Sequence, residues 1–227
     1  MPEEMRKGQR NFEIGLWKRR SGRYFVRDGW WKNKNQQGLW LCAPGAEPKL
    51  IVEGDYSAPR VTPDGNYLVA VRSDALVRID IRNKRVTKVK TDHFNDPLTL
   101  VPGSGNVYFQ VNRGEQTEHM LLDPASGKLE SVKGDFEPLG HQNLRPLQPV
   151  AGSQEYWAAI PDSEKNLTRV GRYDARAFSF KPQMEIPEIL FTSDETWIDE
   201  TARRIYLAYK GHLLRLPLSS DQKSSGK

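Results

Sequence analysis

The sequence has little cysteine and no long apolar run, and both shortages narrow the class of protein. Cys42 is the only cysteine among 227 residues, so an internal disulfide framework is excluded. No apolar stretch approaches the length of a transmembrane helix, and the first ten residues contain no apolar signal-peptide core. We therefore expect a soluble protein, cytoplasmic as the sequence stands, or periplasmic if a leader has been removed.

The common signatures of a catalytic or metal site are also missing. No Gly-x-Ser-x-Gly nucleophile elbow occurs, and Gly103-Ser104-Gly105 lies between two predicted strands rather than before a helix, which argues against a phosphate loop. Four histidines are scattered without metal-ligand spacing, at positions 93, 119, 141 and 212. We therefore assign no catalytic residue, and we expect neither a metal nor another cofactor.

Positive charge is concentrated at the start of the chain. The net charge is +5, and the first 35 residues hold ten Lys or Arg against four acidic residues. Trp17, Trp30 and Trp31 lie among these basic residues, so the segment could contact nucleic acid or an anionic surface. The simpler interpretation is a solvated first hairpin, because the charges are scattered rather than striped.

The clearest local structure is a hairpin from Ala58 to Val71. Pro63 presets its φ angle and Gly65 tolerates a positive φ angle, so Pro63-Asp64-Gly65 predicts a turn between two apolar strands. The second strand of this hairpin recurs along the chain with a period of roughly 40 to 50 residues. Its copies are Arg23-Tyr-Phe-Val, Asn66-Tyr-Leu-Val, Asn106-Val-Tyr-Phe, Glu155-Tyr-Trp-Ala and Arg204-Ile-Tyr-Leu.

A second repeated feature follows three of the predicted fourth strands. It has the form Val-x-x-Asp-aromatic ring, and it ends in Asp55-Tyr56, Asp92-His93 and Asp135-Phe136. Four strands in each repeat of this length are typical of propeller blades. We predict an all-β fold, a β-propeller of about five four-stranded antiparallel blades over residues 11–218, with residues 1–10 flexible and 219–227 disordered.

The hairpin from Ala58 to Val71 resembles the repeat of TolB-type (WD-repeat-like) β-propellers. In that family a Ser-Pro-x-aromatic-Ser-Pro-Asp-Gly-like stretch joins the first two strands of a blade. Only the second repeat keeps Pro-Asp-Gly here, since the later repeats have Pro102-Gly103, Ala151-Gly152 and Asp199-Glu200 in its place. The resemblance implies a fold and no single activity, because such blades serve as docking platforms, as gates before peptidases and as sensor domains.

The last repeat is incomplete. Its predicted strands are Ile189 to Thr192, Arg204 to Tyr209 and His212 to Leu216, and no fourth strand follows. Closed propellers join the last blade to the first. Two interpretations are available: residues near Arg10 to Trp17 complete the last blade, or the chain is part of a larger propeller. We favour the first, a five-bladed ring closed by the N-terminal segment.

We expect the protein to be a non-catalytic binding or scaffold module for a protein or peptide. Loops that enter the first strand of each blade gather at one mouth of the ring, and Arg and aromatic side chains are common interface anchors. An alternative is that these rings pack between neighbouring blades. The predicted partner-binding residues are Tyr56, Arg60, His93, Phe94, Phe136, His141, Arg145 and Trp197.

The competing function is a glycoside-cleaving enzyme, because some five-bladed propellers place two carboxylates across a central cleft. A carboxylate that recurs in several blades is better explained as a turn cap than as a catalytic group. The candidate carboxylates are Asp55, Asp92, Asp96, Asp135, Asp194 and Glu195.

Overall fold

The computed structural model describes residues 14–16, 24–27, 37–42, 46–73, 75–89, 94–140, 147–190, 195–209 and 212–218. These residues form five antiparallel sheets in chain order, which we number 1 to 5. The chain divides into two compact units. The N-terminal unit is Met1–Leu100 with Gly105–Val132, and the C-terminal unit is Val101–Ser104 with Lys133–Lys227.

The N-terminal unit contains sheets 1, 2 and 3, each with four strands that follow one another as neighbours. Sheet 1 consists of β1 (Ile14–Leu16), β2 (Tyr24–Arg27), β3 (Gly38–Cys42) and β4 (Lys49–Glu53). Sheet 2 consists of β5 (Ser57–Val61), β6 (Tyr67–Arg72), β7 (Ala75–Asp80) and β8 (Arg85–Lys88). Sheet 3 consists of β9 (Phe94–Leu100), β10 (Val107–Arg113), β11 (Gln116–Leu122) and β12 (Leu129–Ser131).

The C-terminal unit contains sheets 4 and 5 and a short helix, α1 (Glu137–Gly140), which the sequence did not predict. Sheet 4 consists of β13 (Gln148–Pro149), β14 (Tyr156–Asp162), β15 (Leu167–Asp174) and β16 (Ser179–Ile186). Sheet 5 consists of β17 (Glu195–Asp199), β18 (Arg204–Tyr209) and β19 (His212–Pro217). Within the described residues, sheet 5 has three strands where the other sheets have four.

Sheet 2 shows how one sheet packs between two others in the N-terminal unit. Successive residues of a strand point to opposite faces. On β6, Leu68 and Ala70 therefore join the apolar cluster that includes Leu39 of sheet 1. Val69 and Val71 join a second cluster with residues of sheet 3. Consecutive four-stranded meanders that stack face to face are the arrangement of propeller blades, and the predicted all-β propeller fold class is confirmed.

The predicted turn at Pro63-Asp64-Gly65 is confirmed in detail. The Gly65 amide donates to the Thr62 carbonyl over 2.8 Å, and Gly65 has a φ angle of 72°. The Thr62 hydroxyl donates to Asp64 Oδ1 over 2.5 Å, and this hydrogen bond is the main reason that the pKa of Asp64 lies below its ordinary value. The turn thus fixes β5 and β6 through local chemistry.

Two details of the strand prediction were wrong. The apolar run at Ile189 was assigned to the first strand of the last repeat, but β17 begins at Glu195. Leu190 instead packs in the core of the C-terminal unit, where its amide donates to the Thr168 hydroxyl over 3.0 Å. The prediction that Arg10 to Trp17 completes the last sheet is wrong for Ile14–Leu16, because these residues pair with β2 in sheet 1.

Candidate functional site

Tyr56, one of the predicted partner contacts, lies in the core of the N-terminal unit. Its side chain is 1% exposed and belongs to the apolar cluster between sheets 1 and 2. The guanidinium carbon of Arg72 lies 5.5 Å from the centre of its ring, within range of a cation–π interaction. This burial leaves no side-chain surface for a partner, so Tyr56 is not part of the surface proposed below.

Phe136 is also buried, with 5% of its surface exposed, and it packs against Phe178 at a ring separation of 5.0 Å. The preceding Asp135 accepts a hydrogen bond from the Phe180 amide over 2.8 Å. The Asp135 amide donates to the Phe178 carbonyl. In these two copies of the Asp-aromatic marker, the aromatic ring is therefore buried. In the second copy, Asp135 also forms hydrogen bonds with the backbone of Phe178 and Phe180. The alternative that the rings pack in the interior describes Tyr56 and Phe136.

Arg60 links sheets 2 and 3 of the N-terminal unit. Its Nε donates to the Leu98 carbonyl over 2.6 Å and one terminal nitrogen donates to the Pro59 carbonyl over 3.1 Å. A charged hydrogen bond to a backbone carbonyl 38 residues away stabilises the contact between the two sheets. Arg60 therefore serves the fold in this structure.

Four of the predicted contacts are not placed by the structure. His93, His141 and Arg145 lie outside the described residues, and Phe94 begins β9 but its side chain is not described. They stay predictions. Cys42 ends β3, and its side chain is likewise not described.

Trp197 is the predicted contact that the structure leaves at the surface. It lies in the middle of β17 with 62% of its surface exposed. Trp197 is opposite Tyr206 on β18, and Tyr206 is opposite Arg215 on β19, so the three side chains share one face of sheet 5. An exposed indole on the face of a sheet is a candidate binding surface.

Two further residues on the same face are exposed. Leu213 is 75% exposed and lies opposite Ala208, which is also exposed. We call this surface the exposed face of sheet 5, and it consists of Trp197, Tyr206, Ala208, Leu213 and Arg215.

The opposite face of sheet 5 packs against sheet 4. Ile198, Ile205 and Leu207 alternate with the exposed residues and are buried in the apolar cluster of the C-terminal unit. The sheet therefore has apolar side chains on both faces, which is typical of sheets that are covered on both sides.

Polar contacts fix β17 on sheet 4 and so hold Trp197 in place. The side-chain amide of Gln148 accepts from the Ile198 amide over 2.9 Å and donates to the Ile198 carbonyl over 2.5 Å. Glu200 Oε1 accepts from the Trp157 indole over 2.9 Å and from the Ala151 amide over 3.0 Å. These bonds are made by Ile198 and Glu200, which closely follow Trp197 in the sequence, so the exposed ring projects from a strand that is fixed on sheet 4.

Sequence reasoning missed Leu213, Tyr206 and Arg215, although a signal for them exists. The third strand of sheet 2 is Ala-Leu-Val-Arg-Ile-Asp, and the third strand of sheet 5 is His-Leu-Leu-Arg-Leu-Pro. The two third strands begin at equivalent positions after the turn that precedes them. Arg72 pairs with Ala75 in sheet 2, and Tyr209 pairs with His212 in sheet 5. Alignment of third strands would have matched Leu213 to a core leucine and marked it for closer inspection.

Sheet 3 carries a separate cluster of polar side chains. The Tyr108 hydroxyl lies 2.8 Å from His119 Nδ1 and accepts from the Gln110 amide over 3.1 Å. Burial raises the pKa of Tyr108 and lowers the pKa of His119, so both groups are neutral near pH 7. A neutral Tyr–His pair that is hydrogen-bonded within the sheet rigidifies the sheet, and it does not resemble an activated nucleophile.

A surface pocket of about 260 Å³ lies on sheet 3. Its charged groups engage local partners: Asp123 accepts from the Ala125 amide over 2.8 Å, and Lys128 pairs with Glu130. The lining residues are Asn106, Leu121, Asp123, Lys128 and Glu130. The pocket therefore offers paired charges and little apolar surface, which is a poor match to a small-molecule site.

The structure adds little support to the alternative of a glycoside-cleaving enzyme with paired carboxylates. Asp55 and Asp135 are both exposed, and Asp135 is hydrogen-bonded to backbone as described above. The other four, Asp92, Asp96, Asp194 and Glu195, have side chains outside the described part of the chain.

In the ranges that the structure describes, no three His, Cys, Asp or Glu residues gather in a way that could hold a metal ion. None of the described residues forms a helix long and apolar enough to cross a bilayer.

Comparison with known proteins finds similarity among solved structures only. No protein family model matches the chain, and neither does any curated protein sequence. TolB from Acinetobacter baumannii is 15% identical with a TM-score of 0.48, over 84% of this chain and 49% of TolB. The acylaminoacyl peptidase of Pyrococcus horikoshii is 13% identical with a TM-score of 0.48, over 90% of this chain and 39% of the peptidase.

A chain of a nidogen/laminin complex is 12% identical with a TM-score of 0.43, over 87% of this chain and 72% of that one. This chain spans about half the length of the TolB structure that it matches. The fold itself follows from the five sheets and their packing.

Proposed function

We propose that the protein is a non-catalytic binding module that recognises a protein partner through the exposed face of sheet 5. The observation that carries the proposal is the exposure of Trp197 and Leu213 on one face of a strand-paired sheet. Large apolar side chains grouped on a surface are a frequent mark of protein interaction sites. His93, Phe94, His141 and Arg145 remain predicted partner contacts.

The chemistry of this face fits a protein better than a small molecule. Trp, Tyr and Arg are the residue types that most often dominate the binding energy of protein interfaces. Trp197, Tyr206 and Arg215 form one row across three strands, and Leu213 lies beside them. Side chains that share one face of three neighbouring strands present a broad surface, which suits a protein partner.

The proposal is tested with a double variant, Trp197→Ser with Leu213→Ser, which removes the two most exposed apolar side chains. Purified wild-type and variant chains are immobilised, and proteins that they retain from an extract of the source cells are quantified by mass spectrometry. A protein retained by the wild type is expected to be lost from the variant. Unfolding by urea is expected to be nearly unchanged, because both side chains are exposed.

The matched control is His212→Ser. His212 is exposed and adjacent to Leu213, but strand alternation places it on the other face of sheet 5. Retention of the same proteins by the wild type, the control and the double variant would refute the proposed face. Loss of retention together with a large loss of stability would show that Trp197 and Leu213 serve the core.

A further inference from the structure

The outer edge of β19 carries backbone groups that no described strand pairs. The Leu218 amide donates to the Arg203 carbonyl over 2.9 Å, in register with the pairing of β18 and β19. Hydrogen-bonded and non-hydrogen-bonded pairs alternate in antiparallel sheets, so Leu216 and Leu214 bond to β18. The amides and carbonyls of Leu213 and Arg215 therefore point to the outer edge.

In sheet 2, the corresponding edge of the third strand is paired with a fourth strand. There the Val89 amide donates to the Leu76 carbonyl over 2.8 Å, just beyond the end of β8. Leu76 of β7 occupies the position that Leu213 occupies in β19, and Arg78 matches Arg215. The fourth strand of sheet 2 thus bonds to the same backbone positions that no described strand pairs at the edge of sheet 5.

The matched leucines differ in exposure. Leu76 is fully buried in a cluster that includes Val89, whereas Leu213 is 75% exposed. Sheets 1 to 4 each have a fourth strand, and within the described residues sheet 5 has none. In sequence and backbone geometry, β19 therefore matches β7, a strand that is paired on both sides.

We propose that the outer edge of β19 accepts an extended strand from a partner polypeptide, which becomes the fourth strand of sheet 5. This rests on the proposed function and specifies its partner. Main-chain hydrogen bonds to Leu213 and Arg215 provide the affinity, as in other cases of strand addition to a sheet edge.

The side-chain pattern of the incoming strand follows from β8. Val86 lies opposite Ile79 and packs against the core, and Val89 lies opposite Leu76. The partner strand therefore carries one apolar residue opposite Leu216 and a second opposite Leu213, three residues later in an antiparallel strand. The residue opposite Arg215 is acidic, because opposite charges across neighbouring strands stabilise the pair.

Pro217 limits the length of this pairing. Its position in the alternation directs its nitrogen to the outer edge, and proline has no amide hydrogen to donate. Prolines at such positions protect edge strands from indefinite pairing. The incoming strand is therefore short, with its paired amides at Leu213 and Arg215.

The probe for this edge is a synthetic peptide with the sequence of residues 84–90 that carries the change T87E. Its binding to the full chain is measured by calorimetry. N-methylation of the peptide at the residues matching Thr87 and Val89 removes the two amides that face β19, and we expect about a tenfold or greater loss of affinity. N-methylation at the residue matching Lys88 is the control, because that amide points away from β19.

The variant Leu213→Pro removes an edge amide from the protein, and Leu213→Ala removes only the side chain. We expect Leu213→Pro to abolish peptide binding and Leu213→Ala to weaken it. No binding to the wild-type chain, equal binding of the two methylated peptides, or binding that persists in Leu213→Pro would each overturn the inference. A wild-type dimer in sedimentation that Leu213→Pro dissociates would assign the edge to a second copy of this chain and also overturn it.

The two proposals fail separately. A cellular partner that is lost from the Trp197→Ser, Leu213→Ser chain, but that the peptide does not displace, would support the exposed face and exclude strand addition. Peptide binding to wild type without any cellular partner sensitive to the double variant would support the edge and contradict the face.

Discussion

Leu76 and Leu213 provide a matched test of how tertiary packing treats the same sequence position. Leu76→Ala empties a fully buried site beside Val107 and Phe109, so we expect a loss of about 2–5 kcal/mol in the free energy of unfolding. Leu213→Ala truncates a side chain that is 75% exposed, so we expect a change within about 0.5 kcal/mol. The two variants make the same chemical change in equivalent strands.

The assay is equilibrium unfolding in urea, followed by far-ultraviolet circular dichroism and by tryptophan fluorescence. Two probes are needed because the chain forms two compact units, and separate transitions would have to be fitted separately. A loss of more than about 1 kcal/mol for Leu213→Ala would show that this leucine is covered in the isolated chain. Such a result would refute both the exposed face and the open edge of sheet 5.

Three further outcomes are expected from the same unfolding assay. Gly65→Val forces a β-branched residue to a φ angle of 72° and should cost about 1–2 kcal/mol, whereas Gly65→Asn should cost less; equal losses would contradict the turn geometry. Glu200→Ala leaves the buried Trp157 indole without its acceptor and should cost about 1–3 kcal/mol, while Glu200→Gln retains an acceptor and should cost less. Backbone hydrogen bonds, first of all from the Arg176 amide, hold the pKa of Asp174 below its ordinary value of 3.8. The contribution of Asp174 to the free energy of unfolding is therefore fully present above that pH and is lost as the pH falls below it. Asp174→Asn should flatten this acid limb of the stability profile, and an unchanged limb would assign it to other carboxylates.

Much of the strand pattern could be predicted because its signals are local. The Pro63-Asp64-Gly65 turn sets backbone angles within four residues, and the structure confirms it. The apolar run at Ile189 has the same sequence signal as a strand, but Leu190 is buried in the apolar cluster of the C-terminal unit without belonging to a strand. A run of apolar residues predicts burial, and it does not say whether the backbone pairs with a neighbour while it is buried.

The candidate site was less predictable because side-chain exposure depends on distant residues. The repeated Asp-aromatic marker indicated a ring at a fixed place in each repeat, and at Tyr56 and Phe136 that place is the core. Trp197 has no repeat partner in this marker, and it is the aromatic candidate found at the surface.

The sequence by itself determined that this chain is built from repeated four-stranded hairpin units, since turn chemistry and strand alternation act over a few residues. The sequence also contains two similar third strands, one with Leu76 and Arg78 and the other with Leu213 and Arg215. Only the tertiary structure decided that the first leucine is buried and the second exposed. The physical reason is that burial depends on what packs across the face of a sheet: sheet 3 covers Leu76, whereas Leu213 is 75% exposed.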